Sequence, residues 1–238
     1  MVTPYISNED IQVNDVSFEL PYCVMTTKHP DKSDFDRKAH WESVYSKKES
    51  TEVSWYQQHP EYSLGLIKAT GVDSAAHIID IGGGASTLID FMLEEGYQNL
   101  SVLDISRGAI EQAKKRLGER ADKVEWIEHD ITDFLTNEQY DVWHDRAVFH
   151  FLNDALDRGS YVHTMSRALK PGAHAIIATF DLNGPEKCSG LDVQRYNPDS
   201  MMAVLGDQFE FVETISEAHV TPGAAKQNFV YCRFKRVA

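Results

Sequence analysis

The stretch IIDIGGGASTLIDFM, residues 78–92, constrains the fold most, because three consecutive glycines separate an apolar run from a helical pattern. Residues 77–82 have the composition of a short buried strand, and apolar positions repeat at helical spacing after the glycines. Glycine lets the backbone turn sharply out of a strand and lets a ligand approach the main chain closely. A strand, a glycine loop and a helix in this order predict a ligand-binding turn in an open α/β sheet.

The same alternation of strand-like and helix-like segments continues along the chain. Strand-like runs occupy residues 100–106, 124–130 and 173–180, another begins near residue 140, and helical patterns lie between them. The last of these helices is predicted over residues 157–172, with Pro171 and Gly172 as its stop signals. Such alternation is typical of a parallel sheet packed against helices. Two β-rich runs, residues 209–220 and 228–237, then predict an antiparallel hairpin.

Length, charge and cysteine content narrow the class of protein. The chain has 238 residues, enough for one substantial core, and a formal net charge of −14 that would repel nucleic acids and anionic membranes. Its three cysteines are widely spaced and predict neither a disulfide framework nor a zinc site. No secretory signal and no membrane-spanning apolar run is visible, so a cytoplasmic protein is expected. Residues 1–35 predict an N-terminal arm, and residues 36–238 predict the main domain.

Three kinds of ligand compete for the glycine loop. A nucleotide-phosphate loop needs G-x-x-x-x-G-K-[ST], and no lysine follows the glycines here. A dinucleotide fingerprint, G-x-G-x-x-G, fits Gly82 and Gly84 but puts Thr87 where a small residue should pack. The third ligand, S-adenosylmethionine, has no phosphates, so the third glycine can be relaxed. An NAD(P)-dependent oxidoreductase therefore stays open as an alternative.

Acidic residues stand at the ends of three successive predicted strands. Asp80 precedes the glycines, Asp104 ends the next strand, and Asp130 closes the third. A carboxylate at Asp104 can accept hydrogen bonds from both hydroxyl groups of a ribose. A carboxylate at Asp130 would face the adenine edge and accept from the exocyclic amine, unless it only caps a following helix. Because a dinucleotide fold requires no second acid, the series favours S-adenosylmethionine.

Three further segments carry a family resemblance. Residues 140–152, YDVWHDRAVFHFL, resemble the fourth-strand motif of the class I S-adenosylmethionine-dependent methyltransferases, and residues 168–180 resemble their L-x-P-G-G junction. The resemblance covers about residues 35–237. Residues 40–57 are similar to the front segment of the protein-lysine methyltransferase group and, loosely, to thiol methyltransferases of the thiopurine type. The resemblance to the class I methyltransferases implies a Rossmann-like, doubly wound, mostly parallel seven-stranded sheet that ends in an antiparallel hairpin.

Two departures limit the match to the superfamily. Ser86 replaces the last glycine of the G-x-G-x-G pattern, and Ala173 replaces the second glycine of the P-G-G junction. The glycines would make room for the carboxypropyl end of S-adenosylmethionine. The cofactor-binding residues expected from the motifs and the resemblance are Tyr45, Trp55, Asp80, Gly82, Gly83, Gly84, Asp104, Ile105, Asp130, Ile131 and Asp145.

Several of these side chains have a structural alternative. Ile105 and Ile131 would sandwich the adenine or simply pack in the core. Trp55, with its neighbour Tyr56, would attract the sulfonium by a cation–π interaction or plug the core beneath its loop. Tyr45, four residues after Trp41, fits a core helix face equally well.

The segment WHDRAVFH, residues 143–150, places charged groups at the end of the fourth predicted strand. Asp145 or His150 would orient or deprotonate the methyl acceptor, and histidine has the more suitable intrinsic pKa. A purely structural pair between Asp145 and Arg146 is the alternative. Further candidates for the mouth of the acceptor pocket are Cys188 in the following loop and, near the hairpin turn, His219 and Thr221.

The predicted activity is in-line transfer of a methyl group from S-adenosylmethionine to a small molecule or a protein side chain, without a metal. A non-catalytic S-adenosylmethionine-binding protein is the second alternative beside the oxidoreductase. The expected partner is the substrate, and neither a membrane nor a nucleic acid is expected.

Overall fold

The computed structural model describes residues 35–237. The predicted N-terminal arm, residues 1–35, lies outside the described residues apart from Phe35, and the domain boundary at this point stays a prediction. Six α-helices are described: α1 Arg37–Tyr45, α2 Glu61–Ala69, α3 Leu88–Glu94, α4 Arg107–Leu117, α5 Ala155–Ala168 and α6 Pro198–Leu205. No helix in the described part of the chain is long and apolar enough to cross a membrane.

Nine strands are described within the same residues: β1 His77–Ile81, β2 Asn99–Asp104, β3 Val124–Glu128, β4 Tyr140–Arg146, β5 Leu169–Phe180, β6 Lys187–Cys188, β7 Leu191–Asp192, β8 Phe209–Val220 and β9 Lys226–Arg236. Seven of them form one sheet in the order β3-β2-β1-β4-β5-β9-β8. The first five run parallel, whereas β9 is antiparallel to both β5 and β8. The predicted fold class is confirmed.

The order of the strands fixes where a ligand can bind. The chain proceeds outward from β1 to β3 and then returns to the other side of β1 with β4. The two halves of an open α/β sheet diverge at such a reversal, and the crevice lies at the carboxyl ends of the flanking strands. In this chain that crevice falls between the ends of β1 and β4, directly at the glycine loop.

Both faces of the sheet are buried along β1, β2, β4 and the second half of β5, and alternate residues of these strands belong to different cores. On β4, Trp143 packs on one face with Tyr161 and Met165 of α5. Val142 packs on the other face with helices α2 and α3. Burial on both faces is why these strands read as continuous apolar runs in the sequence. Successive residues at the end of β4 therefore face opposite cores, and the position of a charged residue along the strand decides which core it faces.

Two local details differ from the sequence-based expectation. The helix predicted over residues 157–172 ends at Ala168, because Leu169 already pairs with Tyr140 in β5. Pro171 and Gly172 lie within that strand, where the pairing with β4 shifts register between Tyr140 and Val142. Proline cannot donate to a strand ladder, so its place at an irregularity is understandable. Helix α6 was not predicted, although Asn197 caps it and Pro198 occupies its first position.

Candidate functional site

A cleft lies at the divergence of β1 and β4. Its lining comes from the loop after α1, from α2, from the glycine loop and from the end of β4. The side chains and glycines that matter for its chemistry are Trp55, Tyr56, Ser63, Asp80, Gly82, Gly83, Ser86, Thr87, His144 and Arg146. The sequence-predicted residues Trp55, Asp80, Gly82 and Gly83 therefore lie together in one cleft.

The glycine loop leaves no space for side chains. Gly82 has φ +69°, and a Cβ placed on it would lie 2.1 Å from Val148 Cγ2. A Cβ on Gly83 would lie 2.2 Å from Asp80 Oδ2, and one on Gly84 would lie 2.6 Å from Asp104 Oδ2. Each glycine thus brings main chain against a carboxylate or a neighbouring loop, and a side chain at any of the three positions would displace it. We call Gly82, Gly83 and Gly84 the glycine cradle.

Asp80 is held by a buried histidine. The His144 Nδ1 lies 2.7 Å from Asp80 Oδ1, and the His144 Nε2 lies 2.9 Å from the Ser63 hydroxyl. Asp80 and His144 are each 2% exposed, and Ser63 is 1% exposed. The second oxygen of Asp80, Oδ2, has no hydrogen-bond partner among the described residues. A buried acceptor without a partner calls for an explanation.

Asp104 receives main-chain donors. Its Oδ2 accepts from the Gly84 N–H at 3.0 Å, and its Oδ1 accepts from the Ser106 N–H at 2.8 Å. Burial raises the pKa of Asp104 to about 6, and these two hydrogen bonds partly oppose that rise. The carboxylate still has free lone pairs, because each oxygen can accept more than one hydrogen bond. The contacts are compatible with the predicted ribose role, which stays a prediction.

The third acid has local partners. Asp130 Oδ1 accepts from the Thr132 N–H at 2.9 Å and from the Thr132 hydroxyl at 2.8 Å, as in an Asx turn. Its Oδ2 lies 3.5 Å from the Arg37 guanidinium of α1. Ile131 is 5% exposed and packs in the core, whereas Ile105 is partly exposed. These contacts favour a structural role for Asp130 in a turn and for Ile131 in the core, but within the described residues no helix directly follows that Asp130 could cap. The adenine contacts stay a prediction.

Glu42, which no sequence pattern singled out, ties α1 to the start of α4. Its carboxylate accepts from the Arg107 N–H at 2.7 Å and from the Gly108 N–H at 3.1 Å, and it lies 3.2 Å from the Ser106 hydroxyl. A carboxylate is stabilised at a helix N-terminus by the free N–H groups and the dipole. Nothing in the sequence joins residue 42 to residues 106–108, so no local pattern could have revealed this cap.

The aromatic residues before α2 form one cluster. The Trp41 and Trp55 rings meet edge to face with centroids 5.7 Å apart, and Tyr45 is 6.3 Å from Trp55. Trp55 lines the cleft, whereas Tyr45 is 8% exposed and packs with Val53. Burial raises the pKa of the Tyr45 phenol far above its usual range. The packing favours a core role for Tyr45 and keeps Trp55 beside the candidate ligand.

Asp145 and His150 are more enclosed than the other candidates. Asp145 is fully buried and accepts from the Val148 N–H at 2.9 Å, the Phe149 N–H at 3.1 Å and the Tyr161 hydroxyl at 2.7 Å. Burial raises its pKa to about 6. His150 is also fully buried, and burial, with the Arg146 charge, lowers its pKa to about 3. Neither residue lines the cleft, and the contacts of Asp145 favour a structural role; their catalytic roles stay predictions.

The alternative pair between Asp145 and Arg146 is wrong, because adjacent residues of a strand face opposite sides. Arg146 instead pairs with Glu217 of β8, with Nη2 3.3 Å from Oε2. The Arg146 Nε donates to the Tyr231 hydroxyl at 2.7 Å, and that hydroxyl donates to Glu217 at 2.7 Å. We call Arg146, Glu217 and Tyr231 the hairpin network.

Two neighbours complete the surroundings of Glu217. The Gln57 amide donates to Glu217 Oε1 at 2.8 Å, and His219 Nδ1 lies 3.6 Å from the same oxygen. Burial would raise the pKa of Glu217, but His219, the Arg146 charge and the Tyr231 hydroxyl together lower it to about 2. The network therefore holds a permanent carboxylate at the end of the sheet.

A second cavity, of about 380 Å³, lies beside the cleft. Tyr56 and Gln57 border both spaces. Its other lining residues are Thr51, Gln58, His59, Glu217, His219, Val220 and Pro222. The prediction that His219 lines a pocket mouth thus agrees with its position, and its Nε2 donates to the Ser54 carbonyl at 2.8 Å.

The remaining loop candidates make structural contacts. Cys188 is 5% exposed, and burial raises the pKa of its thiol to about 11, so it is a poor nucleophile. Thr221 is buried, and its hydroxyl accepts from the Ala225 N–H at 3.1 Å within the hairpin turn. Neither residue borders the two cavities.

Known proteins that are similar to this chain in sequence or in fold include several methyltransferases. The family described as "Methyltransferase domain" matches residues 79–175. The chain is 25% identical over 104 residues to nodulation protein S of Rhizobium tropici, covering 44% of this chain and 43% of that protein. It is 28% identical over 99 residues to the eEF1A lysine and N-terminal methyltransferase of Mus musculus, covering 42% of this chain and 14% of that protein. The chain thus spans less than half the length of both relatives.

The fold also matches a solved structure over most of its length. The N-methyltransferase NodS from Bradyrhizobium japonicum WM9, in complex with S-adenosyl-L-homocysteine, superposes with a TM-score of 0.63. The match covers 84% of this chain and 99% of that chain at 18% sequence identity. At this level of identity the likeness concerns the fold.

Proposed function

We infer that the chain is a class I S-adenosylmethionine-dependent methyltransferase, and we propose that it transfers a methyl group to a small-molecule or protein side-chain acceptor. The observation that carries this proposal is the glycine cradle between two buried carboxylates at the reversal of strand order. The matched methyltransferase domain includes that cradle from Ile79 onward and ends within β5.

The residues present fit S-adenosylmethionine. Asp80 Oδ2 is buried without a partner, and an ammonium group such as that of the methionine end would satisfy it. Because Gly83 and Gly84 have no Cβ, their main chain lies directly against the Asp80 and Asp104 carboxylates. Asp104 offers the acceptors that ribose hydroxyls need. We assign Asp80 and the glycines to the methionine end and Asp104 to the ribose.

When bound, S-adenosylmethionine supplies a methyl group on a positively charged sulfur. The chain's part is to orient the two partners and to exclude water. Trp55 and Tyr56 line the cleft, so we assign them to cover the charged end of the cofactor. Arg146 closes the cleft toward the hairpin network, because its Nη1 donates to the Trp55 carbonyl at 3.0 Å.

We assign the acceptor to the second cavity. It adjoins the cleft through Tyr56 and Gln57, and its lining offers the Glu217 carboxylate and the His219 imidazole. The His219 Nε2 must carry a hydrogen, because the Ser54 carbonyl can only accept. In the neutral ring the lone pair is then on Nδ1, and a proton taken up there from the acceptor would be stabilised by Glu217, whose pKa the protonated ring lowers. This assignment prefers His219 to the enclosed His150 as proton acceptor.

An amine is the first acceptor class to test. The named neighbours are an N-methyltransferase and a lysine and N-terminal methyltransferase, and both names refer to nitrogen. A net charge of −14 suits a cationic acceptor and disfavours nucleic acid. We propose the cytoplasm as the location and the acceptor as the main partner.

Calorimetry tests the cofactor assignment directly. The full chain is titrated with S-adenosylmethionine and with S-adenosylhomocysteine, and we expect both to bind at one site. Binding of neither would overturn the proposal. Titration with NAD(P)H is the control for the oxidoreductase alternative, and we expect no heat from it.

A labelled-methyl screen tests the transfer. The chain is incubated with methyl-labelled S-adenosylmethionine and with lysate fractions separated into proteins and small molecules. We expect label in one fraction with the intact chain and at least a tenfold loss with His219→Asn. The variant should still bind S-adenosylhomocysteine, since His219 lies in the second cavity. Binding without transfer to either fraction would favour a non-catalytic binding protein.

A further inference from the structure

Asp80 belongs to a buried row with His144 and Ser63, and these two partners have no role in the proposed reaction as described so far. The three side chains come from α2, β4 and β1 and are at most 2% exposed. Their polar atoms are spaced at 2.9 Å and 2.7 Å. Burying three linked polar groups is costly unless each is satisfied, so the row needs a function or a strong structural reason.

The direction of the hydrogen bonds follows from the chemistry of each group. The Asp80 carboxylate accepts, so the His144 Nδ1 carries a hydrogen. In the neutral ring the His144 Nε2 then accepts from the Ser63 hydroxyl. Ser63 thus fixes the ring, and the ring fixes one oxygen of Asp80. The other oxygen, Oδ2, faces Gly83, where a Cβ would lie 2.2 Å away.

From this geometry we propose that His144, oriented by Ser63, is a positioning residue that aims the free oxygen of Asp80 at the ammonium group of the bound amino-acid end. The inference rests on the proposed function, since it presumes S-adenosylmethionine as the ligand. A fixed carboxylate binds more tightly than a mobile one, because less side-chain entropy is lost on binding.

The same three residue types occur in hydrolases, where the serine is the nucleophile. Here Ser63 is 1% exposed and lies within helix α2, on the far side of the ring from Asp80. The row therefore serves Asp80 and not a nucleophile at Ser63.

Two substitutions at His144 separate its two hydrogen bonds. The amide nitrogen of asparagine takes the place of Nδ1. His144→Asn therefore keeps the donor to Asp80 and loses the hydrogen bond to Ser63. The longer side chain of glutamine reaches the place of Nε2, so His144→Gln keeps a partner for Ser63 and loses the donor to Asp80. His163→Gln, at an exposed position on α5, is the control for the substitution itself.

Two ligands separate positioning from general damage. S-adenosylhomocysteine has the amino-acid end, whereas 5′-methylthioadenosine shares the adenosine and the thioether but lacks that end. For His144→Gln we expect the Kd of S-adenosylhomocysteine to rise about tenfold, as for a lost hydrogen bond to a charged group. The Kd of 5′-methylthioadenosine should change by less than about twofold. His144→Asn and Ser63→Ala should lie between the native chain and His144→Gln.

The outcomes distinguish this inference from the proposed function. If the native chain binds neither ligand, the proposed function fails. If the native chain binds both but His144→Gln weakens both equally, or weakens neither, the positioning role is overturned. Thermal unfolding of each variant is measured alongside. Should His144→Gln not fold, Ser63→Ala decides, because a selective loss of S-adenosylhomocysteine supports the role and an equal loss of both ligands contradicts it.

Discussion

The carboxyl edge of the sheet has two halves that are assembled differently. On the half formed by β1 to β3, three acids lie at or within two residues of a strand end, and two of them, Asp104 and Asp130, take a partner from two positions later. Asp80, by contrast, takes its partner from His144, 64 residues later. On the half formed by β4, β9 and β8, the partners come from distant segments. Arg146 and Glu217 are 71 residues apart, and Gln57 and Glu217 are 160 apart.

This difference separates what a sequence shows from what only folding brings together. The half that we assign to the cofactor can be recognised from short motifs in the sequence, because the strand end, the glycines and the helix start are contiguous. The half that we assign to the acceptor depends on the register of a hairpin that returns late in the chain. Breaking single contacts on each half tests whether the two halves also differ in energetics.

The largest effect is expected from Arg146→Met in the hairpin network. The Arg146 and Glu217 side chains are 9% and 7% exposed, and the substitution leaves the Glu217 carboxylate buried without its cation. Removing one partner of such a pair costs about 3–5 kcal/mol. Urea unfolding at pH 7 should show this loss in the free energy of unfolding.

The double variant Arg146→Met/Glu217→Gln is the control. It removes the unpaired charge, so it should be less destabilised than Arg146→Met alone. Below pH 4 the difference between the native chain and Arg146→Met should shrink. The lowered pKa of Glu217, about 2, stabilises the folded state above its unfolded pKa and loses that effect as the pH falls toward 2. Equal losses in both variants at all pH values would contradict the account.

The next effect concerns the cradle. Gly84→Ala places a Cβ 2.6 Å from Asp104 Oδ2 and 2.7 Å from the Ala109 Cβ, so the loop must shift. Overpacking of this kind costs about 1–3 kcal/mol, and we expect S-adenosylhomocysteine binding to be lost at concentrations that saturate the native chain. Calorimetry measures the binding and urea unfolding measures the stability.

Gly159→Ala is the matched control for that variant. A Cβ on Gly159, in helix α5, meets nothing within 4 Å. Alanine is the better helix former, so this variant should be more stable by about 0.5–1 kcal/mol and should bind normally. If Gly84→Ala also bound S-adenosylhomocysteine normally, the glycine cradle would not be part of the binding site.

The sequence predicted the fold class, the core strands, most helices and the terminal hairpin, because each is set by local periodicity and turn residues. It also brought together Asp80, Gly82 and Gly83, which line one cleft. It missed the cap that Glu42 provides, the partners of Arg146 and the end of α5 at Ala168. Each of these depends on a contact with a segment far along the chain, which short motifs do not encode.

The predicted catalytic pair shows the same limit. His150 has a suitable side chain, but it lies fully buried between Phe151 and Phe180. Because adjacent residues of a strand face opposite sides, Asp145 points away from Arg146 and bonds to Tyr161 of α5. Residue type alone predicted chemistry at this strand end, whereas burial decides which side chains can reach a ligand.

A smaller effect is expected from the titration of Asp104. Burial holds its pKa at about 6, and a ribose hydroxyl needs the ionised acceptor. The affinity for S-adenosylhomocysteine should therefore be constant above pH 7 and fall by up to about tenfold per pH unit below pH 6. The folded state without ligand gains stability from the same group as the pH falls, because a raised carboxyl pKa favours the protonated folded form.

Calorimetry at pH 8, 7, 6 and 5 measures this dependence. An analogue that lacks both ribose hydroxyls is the control and should bind with an affinity that Asp104 does not modulate. Constant affinity for S-adenosylhomocysteine down to pH 5 would argue against Asp104 as the ribose acceptor.

The smallest effect is expected from Glu42→Gln, which weakens one of the long-range contacts that support the cofactor half at α4. Glu42→Gln leaves one oxygen to accept from the Arg107 or the Gly108 N–H and turns an amide group toward the other. Loss of a charged cap costs about 1 kcal/mol, and the loss should shrink in high salt, which screens the interaction with the dipole. Glu111→Gln, on the exposed side of α4, is the control and should cost less than about 0.5 kcal/mol. If Glu42→Gln were as damaging as Arg146→Met, long-range contacts would support both halves of the edge equally, and the contrast between them would not extend to energetics.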